Sequence, residues 1–474
     1  MLTTDKKAIR EPDAGPAAYD PSTFQPLTYF DTAARFRSGA DDPRQYLERC
    51  LEVIARREPL VQGWVVLNER GAREAADASC ARWRSGQPLS PVDGMPIGIK
   101  DLIETKDMPT QMGCAALAGN FPKRDSALIR ALRDAGAVIL GKCVTTELGG
   151  AQPGPTTNPF DPGRTPGGSS SGSAAVVGAG MVPAAIGTQV GGSVIRPASY
   201  CANWALKPTF GALNRGERLG YSQSVIGVHA GSAIDMWNVA NAIVERAGGD
   251  PGHPGLFGPA AAPAPSKPQQ LIVMETSGWK EVDGATATAF EAVLETLREQ
   301  GVAILRRGDS PLIEAFERGI ESIKAINADI CAYEIWWSLA NLDEQHPGKL
   351  SRHAIRKLEK GRGMTLNDFR ARLLERDDAR RRLAAIAPLG DALISLSSPG
   401  PAPLADPDGP RPTGNAIFNY PSSSLGAPAV TVPLLAIAGM PVGVQIMGQP
   451  DDDARVTGIA RWLAATVTPV KGAP

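Results

Sequence analysis

The sequence predicts an α/β fold: a single large domain with a central mixed, mostly parallel twisted β-sheet covered by helices on both faces. Two observations lead to this prediction. A helical pattern over residues 126–135 ends at Gly136 and is followed at once by the apolar run 137–140. The same alternation returns after residue 270, so one continuous sheet is favoured over two domains.

The chain begins with a segment that has no hydrophobic period. Residues 1–30 are therefore predicted to form an N-terminal arm, followed by one domain over 31–474. The predicted helices cover about 43–57, 69–84, 126–135 and the segment around 290–297. The predicted strands cover 64–67, 97–99, 137–140, 185–188, 271–274 and 302–305.

Later segments differ in composition from this alternating pattern. The Pro- and Gly-rich stretches 248–270 and 398–414 predict long loops. Residues 312–386 are charged and helical, with Trp336 and Trp337 in the middle, and are interpreted as a variable region. The core motifs lie within 90–215, and the C-terminal part of the core is placed at 415–465.

Composition excludes several classes of protein. A net charge of −1 gives no reason to expect a nucleic-acid partner. The six cysteines are widely spaced without a Cys-x-x-Cys pair, so neither a metal site nor a disulfide framework is predicted. The first residues lack an apolar signal segment, and the longest apolar run is too short to cross a bilayer. A cytoplasmic protein without a membrane partner is expected.

Two glycine- and serine-rich segments carry the strongest chemical signal. Residues 167–173 read Gly-Gly-Ser-Ser-Ser-Gly-Ser, and residues 188–193 read Thr-Gln-Val-Gly-Gly-Ser. We call them the first and the second serine turn. Between them lies the small, apolar run 174–182, which predicts a buried element. Glycine allows a tight turn whose amides approach a ligand, and a serine beside such amides is a candidate nucleophile.

A serine nucleophile needs a base. None of the four histidines lies in a recognisable motif. Lys100 instead ends the apolar run Pro96-Ile97-Gly98-Ile99, where burial would favour its neutral, basic form. Lys142 also follows a strand, but it lacks this motif and is interpreted as structural.

Several motifs in one order resemble the amidase signature family of serine hydrolases. They are Gly-Met-Pro-Ile-Gly-Ile-Lys-Asp at 94–101, the two serine turns, Leu-Lys-Pro-Thr-Phe-Gly at 206–211, and Met-Pro-Val-Gly-Val-Gln-Ile-Met-Gly at 440–448. The resemblance covers roughly residues 45–465. It implies the amidase signature fold and a cofactor-free hydrolase, and it is compatible with a homodimer.

The resemblance assigns roles to residues of the serine turns. Ser193 matches the acylating nucleophile, Ser169 the bridging serine held by a cis peptide bond, and Lys100 the base. Backbone amides of Val190, Gly191, Gly192 and Ser193 match the oxyanion hole. A lysine base must have a lowered pKa, which predicts activity that rises toward alkaline pH.

The resemblance does not determine the substrate, because the pocket walls come from variable regions. Candidate substrate-binding residues are Met112, Gly113, Gln152, Ser170 and Phe418. Ser170 is expected to hydrogen-bond within the site rather than to react. Since the candidate walls are apolar and aromatic, a hydrophobic or aromatic small molecule is favoured.

Two positions depart from the family pattern. Gln189 stands where the family usually has an acid, and Ile195 where it usually has arginine, with Arg196 one place later. Both members of a charge pair are absent together, which indicates a coordinated replacement, since losing one partner alone would leave a buried charge unpaired. The second serine turn is therefore expected to be supported differently in this chain.

Three functional hypotheses follow. The first is an amidohydrolase that cleaves an amide, anilide or carbamate (urethane) through a serine acyl-enzyme. The alternative is an A-type amidotransferase subunit that works with partner subunits on charged tRNA. The third, a catalytically inactive binding protein, is disfavoured because Lys100, Ser169 and Ser193 are retained together.

Overall fold

The computed structural model describes residues 18–216 and 221–472 of the 474-residue chain. Twelve strands of the described residues form one sheet. The strands are β1 Trp64–Leu67, β2 Pro96–Lys100, β3 Val138–Cys143, β4 Ala184–Gln189, β5 Trp204–Lys207, β6 Val225–Ala230, β7 Gln270–Val273, β8 Ala303–Leu305, β9 Ala392–Leu396, β10 Ala429–Ile437, β11 Met440–Met447 and β12 Val470–Lys471.

Fourteen α-helices lie in the same described ranges. They are α1 Ala33–Ser38, α2 Pro43–Val61, α3 Glu69–Arg84, α4 Ala127–Asp134, α5 Ser171–Gly178, α6 Ile195–Tyr200, α7 Ala233–Ala247, α8 Gly284–Glu299, α9 Pro311–Ile320, α10 Ile323–Gln345, α11 Arg352–Gly363, α12 Leu366–Ala385, α13 Tyr420–Ser424 and α14 Asp453–Thr466. Side chains cap several of them: Asp42 accepts from the Gln45 amide at the start of α2, and Thr365 and Asp368 form a capping box on α12.

The sheet has the strand order β1-β3-β2-β4-β6-β5-β10-β11-β9-β7-β8, with β12 beside β10. The single domain with a large mixed sheet is confirmed. The expectation of mostly parallel pairing is not, because six of the eleven pairings among described strands are antiparallel. One reason is the two-residue turn Ala438-Gly439, with positive φ at both residues, which joins β10 and β11. A turn this short connects only antiparallel neighbours.

Helices cover both faces of the sheet, as predicted. Alternate residues of β3 show this: Ile139 packs with α4 in one cluster, whereas Val138 and Leu140 pack with α2, α3 and α5 in another. The small, apolar helix α5 is completely buried, which matches the buried element predicted between the serine turns. Its size allows it to lie close against β2 and β4.

Most predicted elements occur within a few residues of the predicted bounds. The stretch 312–386 is helical, and the segments 248–270 and 398–414 are largely irregular. Of the predicted arm, residues 1–17 lie outside the described residues, and residues 18–30 contain neither helix nor strand. Tyr19 fastens this segment to the C-terminal core by donating from its hydroxyl to Pro433 O at 3.1 Å.

Strands β2 and β4 are parallel neighbours, with Ile99 opposite Ile186. Their carboxyl ends therefore meet at one edge of the sheet, where sites in α/β folds usually form. Lys100 and the second serine turn come together at this edge. Within the described ranges, no helix combines the length and the apolar character that crossing a membrane requires.

Candidate active site

Lys100 is the last residue of β2, and its side chain is completely buried. Its side-chain nitrogen Nζ lies 2.7 Å from Ser169 Oγ, 2.9 Å from Ser170 Oγ and 2.9 Å from Thr188 Oγ1. Thr188 O lies at 3.3 Å from the same nitrogen. All four contacts are to neutral oxygen atoms, so the amine is held without a charged partner.

Burial lowers the pKa of Lys100 well below its ordinary value. Lys142, on the neighbouring strand β3, provides a contrast within the same sheet. It is also fully buried, but its Nζ lies 3.1 Å from Asp101 Oδ1 and donates to Thr110 Oγ1 at 2.7 Å. Burial lowers the pKa of Lys142 as well, but Asp101 opposes that shift, whereas Lys100 forms no such ion pair among the described residues.

The first serine turn brings Ser169 to this amine. The peptide bond between Gly168 and Ser169 is cis, as the family resemblance implies. Arg196 donates to Gly168 O and, at 2.9 Å, to Thr413 Oγ1, and it thereby fixes the peptide that precedes Ser169. On the other side, Thr146 N donates to Ser169 O at 3.2 Å. The Ser169 backbone is therefore held from two directions.

Ser193 lies beside the first serine turn and is half-buried. Its carbonyl accepts from Ser170 N at 3.3 Å. The Ser193 hydroxyl makes no hydrogen bond within the described part of the chain. The arrangement brings the buried Lys100 amine, the Ser169 hydroxyl and the more exposed Ser193 together at one end of the sheet.

The carbonyls of the second serine turn are held from outside the turn. Asn327 Nδ2, on α10, donates to Val190 O at 3.0 Å, and Ser423 Oγ donates to Gly191 O at 2.8 Å. The amides of Gly191, Gly192 and Ser193 donate to no acceptor in the described ranges. Gly191 and Ser193 are half-buried and Gly192 is buried, so three successive amides without a partner are available to an anionic oxygen at this turn.

The structure shows what occupies the place of the missing charge pair. Gln189 is completely buried, and its Oε1 accepts from Val194 N at 2.8 Å and Ile195 N at 3.0 Å, at the start of α6. Its Nε2 donates to Ser423 Oγ at 3.0 Å. Ile195 is also fully buried, in a hydrophobic cluster. A neutral amide and an apolar side chain thus stand at the two positions, and neither Gln189 nor Ile195 itself carries a charge into the interior.

The predicted substrate-binding residues lie in different places. Met112 and Gln152 are half-buried, and their backbone carbonyls contact the segment 147–149. Leu148 N donates to Met112 O at 2.8 Å, and Glu147 N donates to Gln152 O at 3.0 Å. In that segment Gly149 lies against Ser169, since a Cβ there would stand 3.6 Å from Ser169 Oγ. Gly113, next to Met112, is exposed. Ser170 belongs to the cluster around Lys100, as expected.

Phe418 is not at the site. Its side chain is completely buried in the core, with its ring edge-on to Trp279, so the expectation that it lines the substrate pocket is not supported. Tyr420, two residues later, takes the position beside the second serine turn. A Cβ on Gly191 would lie 2.7 Å from Tyr420 Cε1, so only glycine fits there.

Sequence reasoning missed two further residues of the site. Thr188 binds the Lys100 amine through both its hydroxyl and its carbonyl, and Asn327 binds Val190 O. The position of Thr188 at the carboxyl end of β4, next to a lysine at the end of a parallel strand, could have indicated its role. No local pattern in α10 distinguishes Asn327.

Comparison with known proteins finds one matching family and relatives that align over most of the chain. A family model described as Amidase matches residues 45–457. The A-type subunit of the glutamyl-tRNA(Gln) amidotransferase of Chloroflexus aggregans is 32% identical over 86% of this chain and 89% of its own length. The corresponding subunit of Myxococcus xanthus is 30% identical over 92% of this chain and 96% of its own length.

Solved structures agree in fold over nearly the whole chain. An amidase crystal structure has a TM-score of 0.81 at 26% identity, covering 93% of this chain and 99% of that one. The native peptide amidase of Stenotrophomonas maltophilia has a TM-score of 0.74 at 25% identity, covering 94% of this chain and 97% of that one.

Proposed function

Because the chain belongs to the amidase family, whose members act on C–N bonds, we propose that it hydrolyses carboxamide-type bonds of small molecules through a serine acyl-enzyme. The observation that carries the proposal is the buried Lys100 amine, which lies 2.7 Å from Ser169 Oγ in a cage of uncharged oxygens. Such an amine can take a proton, whereas a salt-bridged lysine cannot.

The proposed proton relay runs from Ser193 to Ser169 to Lys100. Neutral Lys100 accepts the Ser169 hydroxyl proton while Ser169 accepts the proton of Ser193, whose Oγ attacks the substrate carbonyl. The relay then runs in reverse, and the proton reaches the leaving nitrogen as the C–N bond breaks. Water, deprotonated through the same relay, attacks the acyl-enzyme and releases the carboxylic (or carbamic) acid together with free Ser193.

Stabilisation of the oxyanion is assigned to the amides of the second serine turn. The unbonded amides of Gly191, Gly192 and Ser193 would donate to the oxygen that becomes negative when Ser193 attacks. The Val190 amide, the remaining predicted member of this hole, also donates to no acceptor in the described ranges, while the Val190 carbonyl accepts from Asn327. Preorganised donors of this kind are worth about 10²- to 10³-fold in rate each.

A hydrophobic or aromatic substrate remains the proposed class. Met112, Gln152 and Tyr420 are the residues assigned to its pocket, on segments that adjoin Ser169 and Gly191. Amides, anilides and aryl carbamates all present a carbonyl with a nitrogen leaving group, and the same relay serves each of them. The proposed function therefore includes urethanase activity.

A second function is supported by the names of the curated relatives. The A-type glutamyl-tRNA(Gln) amidotransferase subunits among them include one that is 32% identical to this chain. In that function the same relay would cleave an amide to supply ammonia to partner subunits. The replacement of the usual acid and arginine by Gln189 and Ile195 favours the free-standing hydrolase.

A single hydrolysis screen distinguishes these two functions. The purified chain is offered p-nitroanilides, simple amides, aryl carbamates and free glutamine, beside Ser193→Ala and the exposed control Ser85→Ala. We expect the wild type and Ser85→Ala to release amine from one of the first three classes, and Ser193→Ala to release none. Turnover of glutamine alone, together with co-purifying partner subunits, would support the amidotransferase. No turnover in any well would contradict the hydrolase.

A further inference from the structure

The helical region reaches the second serine turn through one buried side chain. Asn327 on α10 is 4% exposed, and its Nδ2 donates to Val190 O at 3.0 Å. The same nitrogen lies 3.2 Å from Ser424 Oγ and 3.3 Å from Gln223 Oε1. Its neighbours on the helix, Ile326 and Ile330, are buried in a hydrophobic cluster. Helix α10 thus presents an amide donor to a carbonyl of the second serine turn.

Because of the geometry of the peptide bond, the contact between Asn327 and Val190 O also fixes the direction of the next amide in the second serine turn. In a trans peptide the C=O of one residue and the N–H of the next point in opposite directions. Holding Val190 O toward α10 therefore points the Gly191 amide the other way. The Ser423 contact with Gly191 O does the same for the Gly192 amide. Because glycine tolerates both orientations of such a peptide, these two external contacts select one of them.

We infer that Asn327 is a positioning residue for catalysis: by holding the Val190 carbonyl it turns the Gly191 amide toward the reacting oxygen. The inference rests on the proposed hydrolase function and extends it to the helical region 311–385. This region would then act on the rate of the chemical step as well as on substrate choice. Its contribution would depend on the Asn327 donor, and packing alone could not replace it.

Two substitutions distinguish donation from packing. Asn327→Ala removes the donor and leaves a gap, whereas Asn327→Asp keeps the shape and places a carboxylate oxygen against Val190 O. If the donor matters, kcat should fall about 10- to 100-fold in both variants, with KM changed less than about threefold and Asp at least as impaired as Ala. Asn341→Asp, exposed on the same helix, is the matched control and should leave kcat unchanged.

Crystal structures of the wild type and Asn327→Ala provide a readout that does not need turnover. We expect the Val190 carbonyl to leave its wild-type direction in the variant. A retained Val190 orientation with wild-type kcat, or an Asp variant clearly more active than Ala, would overturn the inference. If the wild type hydrolyses nothing, the proposed function fails, and the Val190 orientation alone still decides whether Asn327 holds the turn.

Discussion

Replacing Lys100 and Lys142 by methionine separates catalysis from stability, because these two of the buried lysines have different partners. Both lie at the carboxyl-terminal part of parallel strands and both are completely buried. Lys142 neutralises Asp101, which is 1% exposed, at 3.1 Å. Lys100 contacts only hydroxyl and carbonyl oxygens within the described residues. Methionine has a similar length, so each substitution mainly removes the amine.

The cost of Lys142→Met follows from the carboxylate that it leaves behind. An unpaired buried charge costs about 3–5 kcal/mol. Protonation limits that cost, since neutralising a carboxyl of ordinary pKa at pH 7 takes about 4 kcal/mol. Burial already raises the pKa of Asp101. The loss in the free energy of unfolding should thus be about 3–4 kcal/mol at pH 7 and about 1.5 kcal/mol at pH 5, because protonation becomes easier as the pH falls toward the ordinary pKa.

Lys100→Met leaves no carboxylate behind. Its hydroxyl partners can bond to one another, so the free energy of unfolding should change by about 1 kcal/mol or less. Loss of the base should lower kcat by about 10³-fold. The assays are urea unfolding at pH 7 and pH 5, and hydrolysis of the best substrate at a temperature where both variants are folded.

The two variants control for each other. Lys142→Met should retain most of the wild-type kcat while it is folded, and Lys100→Met should retain stability. The reasoning would be refuted by the reverse pattern, in which Lys100→Met unfolds easily and Lys142→Met is stable but inactive. A destabilisation of Lys142→Met that is the same at both pH values would show that Asp101 is not its cause.

Three further predictions concern the same region. Burial lowers the pKa of Lys100, and only its neutral amine accepts a proton, so kcat/KM should fall as the pH drops through that pKa; a profile with no fall down to the pH at which the protein unfolds would contradict a lysine base. Gln189→Glu and Ile195→Arg should each lower the free energy of unfolding by about 2–5 kcal/mol, and the double variant should recover part of the loss; strictly additive losses would argue against a replaced charge pair. Burial and the neighbouring Lys100 lower the pKa of His229 to about 3. Below the ordinary pKa of histidine, the unfolded chain therefore binds a proton at this residue and the folded chain does not. Stability should therefore fall by about 2 kcal/mol between pH 6.5 and 4.5 through this group, and urea unfolding of His229→Leu should show a correspondingly weaker dependence on pH; equal slopes would count against it.

Local patterns predicted the elements of the fold better than their pairing. The helix over 69–84 and the strand over 64–67 have the predicted bounds, because periodicity and capping are properties of neighbouring residues. The predominance of antiparallel pairs was not predicted, since the direction of a strand depends on which distant strand it meets. The turn Ala438-Gly439 was a local signal for one antiparallel pair, but it says nothing about the other five.

The candidate site, like the fold, was predicted in part: the motif residues were identified, but not all of the residues around them. Lys100, Ser169 and Ser170 were named from the motifs and converge in the structure within hydrogen-bonding distance. Phe418 was chosen for its aromatic ring, but it fills the core, because a loop sequence does not reveal which of its aromatic residues faces inward. Tyr420, from the same segment, lies beside Gly191 instead.

The sequence by itself determined the residues of the candidate site: two serine turns and a lysine at the end of an apolar strand, within an α/β domain. Those features depend on residue type and short-range order, which a linear sequence records. Only the tertiary structure decided that Lys100 has no carboxylate partner among the described residues while Lys142 has one. It also decided that Asn327, from a helix more than a hundred residues away, holds the second serine turn. Both depend on distances between remote segments, which are fixed by packing of the whole domain.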